Sequence, residues 1–166
     1  MMESLSQKLV EETWEETALF GPSRARKEMK MAGKKQPDLL SFVMEFSKDL
    51  NQQVAELAIY MFLVVYRMFE KGYGKGLKGV SAEEIIACYE ANERLMEGLE
   101  KAHDKFYERI ASVQICTQPY VIKYVVDTLF EAPEEEDPVN LTDEDTGLLF
   151  LLLKTVIDVL NKRTDG

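Results

Sequence analysis

The chain has 166 residues, 46% hydrophobic and 30% charged, a balance that belongs to a globular domain and not to a disordered segment. A domain of this length buries roughly two-thirds of the surface its unfolded chain exposes. The formal net charge of −10 repels phosphate over most of such a surface, so general nucleic-acid binding is excluded unless a local basic patch overrides the average.

Residues 3–20 carry Leu5, Leu9, Trp14 and Leu19 as their larger apolar residues and predict a short helix that stops at Gly21-Pro22. Residues 23–35 follow with six cations, Arg24, Arg26, Lys27, Lys30, Lys34 and Lys35, against one acid, Glu28. Almost nothing there asks to be buried. Residues 1–35 therefore read as an N-terminal arm, and 36–166 as a single helical domain.

Pro37 suits the first turn of a helix, where its missing N–H costs nothing, and Leu39, Leu40, Phe42, Val43 and Phe46 give 38–48 an apolar face. Asn51 is a candidate N-cap for a helix over 52–71, apolar nearly all round and so expected at the centre. The stretch from Gly72 to Gly79 ends it with four glycines in eight residues. Ser81 and Glu84 form a capping box that starts a long helix over 82–113. Ile85, Tyr89, Asn92, Met96, Leu99, His103, Phe106, Ile110 and Val113 then alternate spacings of four and three, a heptad seam. Residues 120–130 are rich in Val, Ile and Tyr and taken alone could be a strand. The acidic segment 131–140 contains two prolines and reads as a loop. Thr142 caps a last helix over 143–162, with Asp143 and Glu144 near its positive end.

Two apolar runs, 57–66 and 148–153, are far shorter than the roughly 20 residues a membrane span needs. They read as core helices, and no membrane insertion is expected. The acidic N-terminus lacks a continuous apolar segment, so no signal peptide is expected and a cytoplasmic location is the default. Cys88 and Cys116 are read as reduced, small apolar residues, without the spacing of a zinc site or a disulfide framework.

The chain also repeats itself. With an offset of 82, QPDLLSFVMEF at 36–46 lies on QPYVIKYVVDT at 118–128. With an offset of 91, residues 50–71 lie on 141–162, and the two caps Asn51 and Thr142 coincide. The repeat favours helix at 120–130. The expected fold is all-α, a bundle of five to six helices with two pseudosymmetric hairpins, 36–71 and 118–162, joined by the long helix 82–113.

Chemistry finds little foothold. His103 is the sole histidine, so its Glu100-x-x-His103 spacing cannot be completed into a di-iron site, and no imidazole serves a serine or cysteine nucleophile near Cys88. Glu93, Glu97, Glu100 and Asp104 share one face of the long helix, the kind of stripe a magnesium-dependent all-α phosphohydrolase uses. The stripe is flanked by Arg94, Lys101 and Lys105 and no second acidic helix clearly faces it, so a solvated face is the better reading. The glycine stretch lacks a Gly-Lys-Ser/Thr signature. What remains is charge: the basic segment 24–35 and the acidic segment 131–145, with eight carboxylates including Glu134, Glu135, Glu136 and Asp137. Their attraction, within one chain or between copies, uses both. The expected function is a non-enzymatic protein-binding or regulatory module without a cofactor, partnered by itself or by another protein; the alternative is the magnesium-dependent hydrolase.

Overall fold

The computed structural model describes residues 4–74, 77–100, 118–130 and 142–162. Among these residues the chain is entirely helical, with seven helices where five to six were expected. They are α1 (Gln7–Ala18), α2 (Pro22–Lys35), α3 (Pro37–Ser47), α4 (Gln52–Tyr73), α5 (Ala82–Glu100), α6 (Pro119–Phe130) and α7 (Asp143–Lys162). The strand alternative for 120–130 is overturned, because α6 occupies it. Helix α1 falls inside the short helix expected over 3–20, whereas α2 is the added one, formed by residues read as a basic arm; the two supply Val10 and Ala32 to the core. The long helix expected over 82–113 is described as far as Glu100. Leu99, His103, Phe106, Ile110, Val113 and Cys116, with Glu100 and Asp104, fall outside the residues whose side chains are described.

The helix starts follow the sequence signals. Asn51 Oδ1 accepts from the Val54 N–H at 3.0 Å. Ser81 Oγ accepts from the Glu84 N–H, while Glu84 accepts from the Ser81 N–H, both at 3.2 Å. Thr142 and Asp145 repeat that reciprocal pair at α7. Pro22 and Pro37 sit in the first turns of α2 and α3. Helix α4 ends at Gly74, whose φ of 51° favours glycine.

Helix α4 is the axis of the bundle and touches α1, α2, α3, α6 and α7. Its run Met61 to Phe69 is buried without interruption, and Leu149–Leu153 does the same for α7. Helix α5 packs chiefly on α7 and also on α3. Cys88 is buried on α5 and unbridged. Among the described residues no helix is long and apolar enough to cross a membrane.

Candidate functional site

Three buried polar clusters tie the helices to one another. Arg67, the one cation within the apolar run of α4, donates to Thr17 Oγ1 at 2.7 Å and pairs with Glu16 of α1. Lys71 adds a second cation at 3.1 Å, and together the two hold the Glu16 carboxyl below its usual range. The Phe20 ring is within cation–π distance of two guanidiniums, Arg67 at 4.6 Å and Arg24 at 4.2 Å. Between α5 and α7, Asn92 accepts from Lys154 at 2.6 Å and donates to Thr155 and Asp158. Asn92 is thus a buried polar member of the seam, as the heptad reading expects.

The third cluster is built on Gln118, directly before Pro119. Its Oε1 accepts from the Leu5 N–H at 2.9 Å, and its Nε2 donates to Tyr73 Oη at 2.7 Å and Asn161 Oδ1 at 2.8 Å. Gln36, directly before Pro37, accepts from the Val80 N–H at 3.0 Å and donates to the Lys78 carbonyl at 2.9 Å. Both glutamines are almost fully buried. Each satisfies a backbone N–H that a chain crossing the core would otherwise strand.

Two surface features stand apart from these clusters. The first is the basic face of α2. Arg26, Lys27, Lys30 and Lys34 are exposed and have no ion-pair partner among the described residues. At 100° per residue they fall within an arc of about 100°, opposite the buried Ala32. Arg24 is engaged by Phe20, and Lys35 by Glu70 at 2.9 Å. The partner proposed from sequence, Glu134, Glu135, Glu136 and Asp137, lies outside the described residues.

The second feature is a groove of about 280 Å³ between α1 and α6 that the sequence reading missed. Its lining includes the aromatic Trp14, Tyr120 and Tyr124 and the acidic Glu11, Glu15 and Asp127. Trp14 stacks on Tyr124 at a centroid distance of 6.4 Å, yet remains 39% exposed; Tyr120 is 38% exposed. Burial pushes the Tyr124 hydroxyl well above its usual pKa, so it stays protonated. Glu11, Trp14 and Glu15 have helical spacing and were legible as one face. Their meeting with α6 was not.

The acidic stripe fares differently. Glu93 and Glu97 are exposed on α5, and burial, helped by the neighbouring Glu93, raises the Tyr89 pKa. Among the described residues no three His, Cys, Asp or Glu side chains are grouped to hold a metal ion. The Gly72–Gly79 stretch has a structural use at its start: a methyl of Leu5 occupies the space a Cβ at residue 72 would take. The chain matches no family model, and it has no significant match among curated proteins or solved structures.

Proposed function

We propose that the chain is a non-enzymatic protein-binding module that associates with further copies of itself through the basic face of α2. The observation that carries this reading is the arc of Arg26, Lys27, Lys30 and Lys34, without an ion-pair partner among the described residues, in a chain of net charge −10. Four cations held on one helical face repel one another, and an opposing acidic surface relieves that repulsion. Every other copy carries such a surface.

The scaffold presenting this face is read as an internal duplication, with α3–α4 and α6–α7 as equivalent hairpins. Burial supports it: with the offset of 82, Leu39, Val43 and Ser47 fall on Val121, Val125 and Leu129, all buried. With the offset of 91, Ala58, Met61, Phe62, Val65, Met68 and Phe69 fall on buried Leu149, Leu152, Leu153, Val156, Val159 and Leu160. The two Gln-Pro turns support it further, because each glutamine holds the N–H of the residue just before a serine N-cap, Leu5 before Ser6 and Val80 before Ser81. An offset of 75 then lays α1 on α5. Its buried Val10, Thr13 and Thr17 fall on buried Ile85, Cys88 and Asn92.

Sedimentation velocity of the full chain tests the functional reading. The expected result is a mass that rises with concentration at low salt. It falls to that of a monomer when the Debye length shrinks to about 3 Å near 1 M salt, or when Arg26, Lys27, Lys30 and Lys34 are all replaced by Glu. A monomer at every concentration in low salt refutes it.

A further inference from the structure

We propose that the groove between α1 and α6 is the receptor for the basic face of α2 from a second copy, with one cationic head group seated against Trp14 and the two tyrosines. The inference rests on the self-association reading and names the surface that completes it. Three observations lead there.

The groove is small. Its volume of about 280 Å³ lies below the roughly 300–1,000 Å³ of pockets that enclose whole small ligands, and suits a single long side chain. Its chemistry selects for a cation. Trp14, Tyr120 and Tyr124 offer aromatic faces, which attract an ammonium or guanidinium within about 6 Å of a ring centroid. Glu11, Glu15 and Asp127 contribute three carboxylates, and the only cation among the lining residues, Lys123, is 2.7 Å from Asp127. Glu11 accepts one hydrogen bond from the neutral Gln7 amide at 3.1 Å, and Glu15 has no ion-pair partner among the described residues. The groove is therefore an aromatic recess with surplus negative charge.

The spacing also fits. Glu11 and Glu15 are four residues apart on α1, about 6 Å along the axis, and so are Arg26 and Lys30, or Lys30 and Lys34, on α2. Two helices laid side by side pair these charges in register, with Trp14 lying between Glu11 and Glu15 along α1. The copy's own α2 is occupied elsewhere, packed on α3 and α4. The occupant comes from another molecule.

Trp14 is the only tryptophan in the chain, so its fluorescence reports on the groove without a label. The experiment dilutes the intact protein at low salt and follows Trp14 emission and light-scattering mass together. It then repeats both on the Glu11→Lys, Glu15→Lys double variant, whose changed residues are exposed. A synthetic peptide of residues 22–35 is titrated into dilute protein as an independent probe. The expected outcome is emission that moves to longer wavelength as the mass falls, with one shared midpoint. The double variant weakens association at least about tenfold, and the peptide restores the associated emission to wild type alone. If mass changes while Trp14 emission stays constant and the peptide leaves it unmoved, the groove assignment is wrong and the α2 reading stands. A chain that is monomeric throughout and ignores the peptide removes both.

Discussion

Replacing Gln118 by Met removes three hydrogen bonds while keeping nearly the same volume. The Leu5 N–H is the most costly loss: it is buried, and Gln118 Oε1 at 2.9 Å is its acceptor. A stranded buried donor costs roughly 1–3 kcal/mol, whereas an ordinary net hydrogen bond is worth about 0.5–1.5 kcal/mol. Tyr73 is only half-buried and turns to water, so its loss is small. Asn161 adds a partial loss, for a total of about 2–4 kcal/mol. In a chain of this length that lowers Tm by roughly 5–15 °C. Urea unfolding followed by circular dichroism, with Trp14 fluorescence as a second probe, measures it. A change within about 0.5 kcal/mol refutes the claim that this glutamine ties the segment before α1 to the bundle. Trp14 should lose its native emission in the same transition, because α1 depends on that tie.

Arg67→Met is expected to destabilise by about 1–3 kcal/mol, below the loss for a fully buried pair, because Glu16 retains solvent and Lys71. The Glu16 carboxyl is held down in the folded state, so its contribution is fully present above the unfolded value near 4.5 and is lost as pH falls through the lower folded value. Melting temperatures from pH 7 to pH 3 should therefore fall less steeply in Glu16→Gln than in wild type; parallel curves contradict this. Asn92→Leu strips one partner from the buried Lys154 ammonium but leaves Asp158 at 2.7 Å. It is expected to cost about 2 kcal/mol in chemical denaturation, and no loss there denies Asn92 its place in the seam. Gly72→Ala, which gains about 1 kcal/mol in an ordinary helix interior, should instead destabilise, because Leu5 must leave its seat against the helix. A gain in Tm overturns that packing.

The caps, the Gln-Pro starts and the central place of α4 were legible because each rests on a local rule: a side-chain oxygen at an N-cap, a ring at a first turn, an apolar circumference. The role of α1 was hidden. Its buried positions include Thr13 and Thr17, whose hydroxyls bond back to the Leu9 and Thr13 carbonyls at 2.7 Å and so pass as apolar once folded. Its large apolar residues mislead in the opposite direction, with Trp14 39% and Leu19 86% exposed. Helix α2 offered only Ala32 to the core, too small a signal against six cations. The basic face itself was readable from composition. The groove was not, because half of it belongs to α6, more than 100 residues away in the chain, and no periodicity reports which helices meet.

Zero-length carbodiimide cross-linking of a mixture of light and heavy-isotope protein tests the central claim most directly, since it joins only carboxylates and lysines in contact. Cross-links between Lys35 and Glu70, Lys71 and Glu16, and Lys123 and Asp127 are expected within single copies and serve as internal controls. The account expects mixed-isotope pairs joining Lys27, Lys30 or Lys34 to Glu11 or Glu15. If the controls appear and every cross-link at those three lysines stays within one isotope, α2 does not bind a second copy and the account fails.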